Sequence, residues 1–441
     1  MAARGLFTSR IGFILAAAGS AVGLGNIWGF PTKVAENGGA AFVVMYLCMA
    51  FLLAYPVLMA ELIIGRAKRR NMIDALHSIS GNFLGTLTGS IGAITVILIL
   101  SFYAIVAGWM TSHLVDATLS VVSVNMPWLT EGSIARNILF MAIFLVFTCI
   151  VVIGGVTNGI ERWSVRLMPT LLLLIISLIV YVSTQNGAMD GWKAFLVPDV
   201  ARVLEPGLMI DAMGQAFFSM SLGVGTMLVY GSYIQKQENL PKLGASVALV
   251  DIGVAILAGM LIIPAMYVAL ANGVEIFDQG KLIEGPTLIF QVLPSLFATM
   301  GFVGTIVATA FFALMVIAAL TSSISMLEVP VAFLVDNKGM RRKKATILLS
   351  LLVFVLSSII VLNFDVLFGF VITLTTEYSQ PLLGLVLCIF AGWIWRRNEI
   401  LTELKQGNES AEQSLFWKIW PWYVKFVCPV VIATMFYRSV V

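Results

Sequence analysis

Charge is what this chain has least of. Of its 441 residues only 11% are Asp, Glu, Lys or Arg, against 60% hydrophobic ones. Soluble domains carry about 25% charged residues. A chain this long with so few charges cannot cover itself with a polar surface, which excludes an ordinary soluble enzyme and a disordered protein. The net charge of +3, from 26 basic and 23 acidic residues, is too small to suggest nucleic acid. Cysteine is scarce. Cys48, Cys149, Cys388 and Cys428 each lie in an apolar stretch with no paired spacing, the pattern of small helix residues rather than of a disulfide framework or metal site. Histidine is scarcer: His77 and His113 lack a metal-ligand partner four residues away, and there is no G-x-S-x-G elbow. An intramembrane enzyme would have little to work with.

What the chain does have is apolar length. A helix needs roughly 17–25 apolar residues to cross a bilayer. Eleven segments meet this with soft ends: 10–36, 40–65, 87–117, 136–154, 160–184, 209–234, 244–271, 300–334, 344–362, 366–395 and 416–438. They predict an all-α multi-spanning membrane protein, a single transporter domain over 1–441. Arg4 and Arg10 before the first run resemble a signal peptide. The run continues through Asn26 and Pro31 to Lys33 and Glu36, however, so it reads as a span. Nineteen of the 26 basic residues fall on one side of the spans. Five, Arg136, Lys193, Arg202, Lys281 and Arg438, fall on the other, and Lys33 and Lys425 lie within spans. The positive-inside rule then predicts a cytoplasmic N-terminus and, with eleven spans, an external C-terminus. The stretches 192–206 and 272–294 are too polar to cross and are expected to form short helices on the outer side.

Two spans are interrupted. The first contains Gly19-Ser-Ala-Val-Gly23-Leu-Gly25-Asn26, and the sixth Ser219-Met-Ser-Leu-Gly223-Val-Gly225. Each glycine weakens a helix by about 1 kcal/mol relative to alanine. Interruptions at corresponding places in two halves point to a transporter of inverted repeats, here about 10–184 and 209–395, with 416–438 added. Unwound backbone in hydrocarbon leaves amides and carbonyls that need partners, so a break persists where it lines a site. Free carbonyls suit a cation, and free amides at a half-helix N-terminus suit a carboxylate. Close helix packing is the competing use of such glycines. In the eighth span Thr321, Ser322 and Ser323 follow one another. The first two can reach a neighbouring cation, although membrane hydroxyls often bond back to their own helix.

These segments resemble the neurotransmitter:sodium symporter family, in its bacterial amino acid branch, over all eleven spans. The resemblance rests on Gly19–Pro31, Glu36–Phe42, Ser101–Trp109, Gln215–Gly225 and Leu320–Met326. It implies a sodium-coupled symporter importing hydrophobic L-amino acids across the bacterial plasma membrane, with two Na⁺ ions and no chloride requirement. It implies a first sodium site at Ala21, Asn26 and Ser219, completed by the substrate carboxylate, and a second at Gly19, Val22, Ala318, Thr321 and Ser322. For the substrate it implies Tyr103, Phe218, Ser219, Met220, Ser221, Val224 and Ser323, with Ile99 and Met326 lining the side-chain pocket. Ala21 and the amides of Leu24 and Gly25 would complete the carboxylate site, and Phe218 would cover it.

Departures from the family pattern refine this. Gly23 stands where amine transporters have an aspartate, so the substrate should bring its own carboxylate. Val224 is smaller than the phenylalanine of a leucine-selective relative, which widens the pocket for aromatic and branched side chains. Asp251, in the seventh span, either supplies the negative charge other members borrow from chloride or ligates sodium directly; an intramembrane carboxylate is costly and calls for a role. Gly29 replaces the arginine that pairs, in a relative, with the acid matching Asp365, which leaves Trp28 as a candidate for outer closure. At the inner end Arg4 is expected to face Asp336 near Tyr233, with Phe7 in place of the usual tryptophan. Gly159 and Pro169 bound an interval of the fifth span that the resemblance implies unwinds during inward opening; a fixed proline kink is the alternative. Glu61 and Glu377 are expected to brace the break in the sixth span. A channel or a sensor on the same scaffold remains the competing function.

Overall fold

The computed structural model describes residues 5–199, 202–278, 281–283 and 285–440. The chain is helical almost throughout, with one short antiparallel hairpin pairing Phe277–Asp278 with Lys281–Leu282. Uninterrupted crossings run over Ala40–Lys68, Phe83–Val121, Ile134–Ile153, Val156–Ser183, Leu240–Ala271, Gly301–Lys338, Arg342–Leu362, Phe364–Ile394 and Leu415–Arg438. The first span consists of Arg10–Ala21 and Gly25–Glu36, bent by 53° across the glycine-rich break. Among the described residues that makes ten crossings by length and apolarity. The expected sixth span falls short of an unbroken crossing for a physical reason. It is split into Pro206–Ser219 and Thr226–Gly231, and neither piece is long enough alone.

Local sequence sets the helix ends. Ser9, Asn82 and Ser133 accept backbone N–H groups at the starts of the first, third and fourth spans, the usual service of small polar N-caps. In the sixth-span break Gly223 and Gly225 adopt φ of +83° and +80°, a region costly for other residues. Short helices Ala188–Leu196 and Gly285–Thr299 overlap the polar stretches 192–206 and 272–294, each offset from the expected bounds. A further amphipathic helix, Met72–Ser80, links the second and third spans.

The long third and eighth spans pack against each other and form the spine of the bundle. The fifth span shows how a membrane helix divides its surface. Leu171, Ile175, Leu178 and Val182 are buried, while Leu173, Ile176 and Val180 are exposed. This is helical periodicity with apolar residues on both faces, as expected when lipid replaces water.

Candidate functional site

The break in the first span is held against the third and eighth spans. Leu24 N donates to Tyr103 Oη at 3.2 Å. Ser322 Oγ lies 3.4, 3.0 and 3.2 Å from the carbonyl oxygens of Gly19, Ser20 and Val22. One hydroxyl proton cannot satisfy three carbonyls, so this corner has surplus acceptors converging on one point. That is the donor set a desolvated Na⁺ ion takes in broken-helix transporters. Thr321 Oγ1 bonds back to Ile317 O and Ala318 O. Its Cβ would lie 3.2 Å from a Cβ added at Gly19, as would Met168 Sδ of the fifth span. Gly19, Val22, Ala318, Thr321 and Ser322 are therefore neighbours.

A second cluster forms around Asp251. Its carboxylate, fully buried, accepts from Asn26 Nδ2 at 2.7 Å and from Ser219 Oγ at 2.9 Å. Asn26 Nδ2 also reaches Asp251 O at 3.0 Å, and Asn26 Oδ1 accepts from Gly23 N at 3.2 Å. Tyr46 Oη lies 3.3 Å from Ser219 Oγ. The sequence reading did not include Tyr46, which sits in an apolar second-span run with nothing to mark it. All the hydrogen bonds on Asp251 come from neutral groups, and a buried carboxylate held only by neutral dipoles favours a nearby cation. The structure thus joins Asn26 and Ser219, on two different broken spans, through a third residue.

Substrate candidates surround these clusters. Gly23 is closely covered: a Cβ there would lie 2.3 Å from Ser322 Oγ and 2.7 Å from Tyr103 Oη, so a side chain would require both hydroxyls to move. A Cβ at Gly25 would meet the Phe218 ring at 3.0 Å and Ser219 Cα at 3.2 Å. Ser221, at φ +52°, donates to Ser20 O at 3.1 Å and so ties the two breaks together. Ala21, Ile99, Met220, Val224 and Met326 are buried. Ser323 is turned elsewhere. Its hydroxyl is shared with Thr148 of the fourth span at 2.8 Å and with its own Leu320 carbonyl, so the structure does not bring it to Tyr103 and Leu24. A cavity of about 450 Å³ opens above the breaks. Of the expected substrate residues only Leu24 and Phe218 reach its wall.

The brace of the sixth-span break is only partly as expected. Glu61 Oε1 accepts from Gly223 N at 2.7 Å and Oε2 from Leu228 N at 3.1 Å. Glu377 does not take part; it is exposed on the cavity wall. One turn along the tenth span, Gln380 Nε2 donates to Leu222 O at 3.1 Å instead. The amide can donate to a carbonyl, which an ionised glutamate cannot.

The expected gates lie at the two ends of the bundle. Arg4 lies outside the described residues. Asp336 accepts from Asn71 N at 3.2 Å. Tyr233 Oη donates to Glu328 Oε1 at 2.6 Å, and Arg342 binds both Glu328 oxygens. Neither Glu328 nor Arg342 stood out in the sequence. Phe7 N donates to Tyr233 O at 3.1 Å and Gln235 Nε2 to Phe7 O at 2.9 Å. At the cavity end Asp365 is exposed. On the cavity wall Lys33 pairs with Asp211 at 3.3 Å and with Glu36 at 2.8 Å. The interval between Gly159 and Pro169 is wound, as a π-helical turn Val156–Glu161 running into a regular helix Arg162–Ser183.

Comparison with known proteins places the chain in a family. The sequence matches the Sodium:neurotransmitter symporter family over residues 4–134 and 130–441. It is 36% identical to the uncharacterized sodium-dependent transporter YhdH of Bacillus subtilis, covering 98% of this chain and 96% of that one. It is 27% identical to the human sodium- and chloride-dependent taurine transporter over 76% of this chain and 62% of the relative. Among solved structures it resembles MhsT in complex with L-phenylalanine at a TM-score of 0.87 and 36% identity, covering 99% of this chain and all of that one.

Proposed function

We propose that this chain, which belongs to the sodium:neurotransmitter symporter family and is a membrane transporter rather than an enzyme, imports hydrophobic L-amino acids by sodium-coupled symport. The observation that carries the reading is Gly23. Residue 23 is glycine and supplies no carboxylate, and Ser322 Oγ and Tyr103 Oη lie where its side chain would start, so the substrate is the natural source of the carboxylate at that point. The substrate carboxylate would take the Tyr103 hydroxyl and the amides of Leu24 and Gly25, with Phe218 above it. The phenylalanine bound by MhsT, a chain of the same fold, is the class of ligand expected.

Two Na⁺ ions fit the two acceptor clusters. One lies between Ala21, Asn26, Ser219 and Asp251 and is completed by the substrate carboxylate, so each ligand supplies part of the other's site and raises its affinity. The other lies between Gly19, Val22, Ala318, Thr321 and Ser322. Asp251 places a fixed negative charge in the first cluster, which supports transport without chloride, unlike the chloride-dependent taurine relative. The two halves, about 10–184 and 209–395, act as inverted repeats around these sites. The end rich in basic residues faces the cytoplasm and the cavity opens outward. With the cavity open and the basic end closed by the Tyr233–Glu328–Arg342 network, the shape matches an outward-facing state of an alternating-access cycle.

The test is uptake of labelled tryptophan, phenylalanine and leucine into proteoliposomes, with sodium and chloride varied separately. The reading predicts accumulation that needs an inward sodium gradient and persists when chloride is replaced by gluconate. Uptake indifferent to sodium contradicts it, and equilibration without accumulation indicates a channel on the same scaffold.

A further inference from the structure

The inner half of the first span ends against one side chain that the transport reading does not use. Thr8 N and Thr8 Oγ1 donate to the two oxygens of Glu161, each at 2.8 Å. Ser9 N and Ser9 Oγ reach Glu161 Oε1 at 3.2 Å. The carboxylate is 5% exposed, and a Cβ at Gly12 would lie 1.9 Å from its Oε1, so only glycine leaves it room. Thr157 Oγ1 of the same turn donates to Leu6 O at 3.1 Å. A Cβ at Gly5 would stand 3.2 Å from Val156. Residues 5–12 are thus docked along the turn Val156–Glu161, with the carboxylate at the helix N-terminus where the dipole favours it.

Glu161 lies inside the Gly159–Pro169 interval. A single carboxylate receives four donors from the first span while its own backbone belongs to a π-helical turn. Such turns have a register that adjoining α-helix does not share, and they mark places where a helix can change. Rewinding or unwinding this turn moves the Glu161 Cα, and all four hydrogen bonds then fail together. Farther along the same helix, Met168 Sδ packs against Gly19 beside Thr321 Cβ, each 3.2 Å from a Cβ added at Gly19, so the same movement disturbs the second cation cluster.

We propose that Glu161 is the joint that makes winding of the fifth-span interval and docking of the first span's inner half a single event. It is a positioning residue, touching neither ion nor substrate. The proposal rests on the reading of Gly159–Pro169 as the segment that unwinds.

The experiment is hydrogen–deuterium exchange on the purified full-length protein in sodium and in potassium. It compares the wild type, Glu161→Gln, and the double variant Thr8→Val with Ser9→Ala. In the wild type sodium should slow exchange in 5–12 and in 157–168 by the same factor. Glu161→Gln keeps the shape but turns one acceptor oxygen into a donor, and should speed exchange in both segments at least tenfold in sodium. The double variant, altered only on the first span, should speed exchange in 157–168 as well. That outcome does not depend on Glu161→Gln folding. If either variant loosens 5–12 and leaves 157–168 as in the wild type, Glu161 merely caps a helix and the proposal is overturned. If the wild type shows no sodium protection in 157–168, the reading of the interval itself fails and the proposal goes with it; the two failures are therefore distinct.

Discussion

The basic end and the cavity end of this bundle are both fastened by ion pairs, but by pairs of unlike kind. At the basic end Glu328 is fully buried and bound by Arg342 and Tyr233, and Arg66 is fully buried on Glu403 at 2.6 Å. At the cavity end Lys33 and Asp211 are about one-third exposed, at 34% and 32%. Removing one member of a buried pair strands the other charge and costs about 3–5 kcal/mol, whereas an exposed pair contributes about 0–1 kcal/mol. On the proposed reading, the difference favours the state with the cavity open. Bound ions and substrate then have to supply the difference in affinity that reverses the order.

The largest expected effect breaks the comparison at its strong end. Arg342→Met leaves Glu328 buried without a cation, and about 3 kcal/mol lost from the closed inner end is more than a hundredfold in population. In a background without native cysteines, Met168→Cys should then react with an impermeant thiol reagent from the basic side at least tenfold faster. An unchanged rate would show that this network does not hold the end shut. Arg66→Met removes a pair of the same kind that also binds Lys236 O and Glu238 O. It joins the second span to the helix Arg397–Lys405 rather than to the moving parts. Its cost, about 3 kcal/mol, should fall on thermal stability while Met168→Cys labelling stays as before; faster labelling would place this pair in the gate.

Between the two ends, Asp251→Asn keeps the shape but removes the charge next to Asn26 and Ser219. Sodium affinity should fall at least tenfold. Restoration by added chloride identifies Asp251 as a fixed counter-charge, and no restoration identifies it as a direct ligand. The smallest effect belongs to the cavity end. Lys33→Gln should change uptake by less than about fivefold, and the change should shrink further at high salt. A larger effect would mean that Lys33 closes the cavity through partners other than Asp211.

The sequence carried the parts of this account that depend on local chemistry. Glycine runs placed both helix breaks, and apolar length placed the spans. Polar residues marked Asn26, Ser219 and Ser221 in the breaks and Ser322 in the eighth span, which the fold brings together. Residues whose meaning depends on a distant partner were not readable. Glu328 and Arg342 look like ordinary charges near a helix end, and their role exists only once the chain brings them to Tyr233. Gln380, a neutral amide, carries no mark in the sequence beside the carboxylate of Glu377, yet it is the residue that reaches Leu222 O. The one-turn difference between them could not be resolved without the backbone. Ser323, which the family resemblance assigns to the substrate, shares its hydroxyl with Thr148 at 2.8 Å, a partner on a distant span that the sequence does not reveal.

The claim at the centre is that Gly23 leaves the carboxylate to the substrate. The direct measurement is competition of tryptamine and of tryptophan against labelled tryptophan bound to the purified protein in sodium. Tryptophan should displace the label and tryptamine, which has the same indole and amine but no carboxylate, should fail to do so at concentrations a hundredfold higher. Displacement by tryptamine with an affinity within tenfold of tryptophan's would contradict the account.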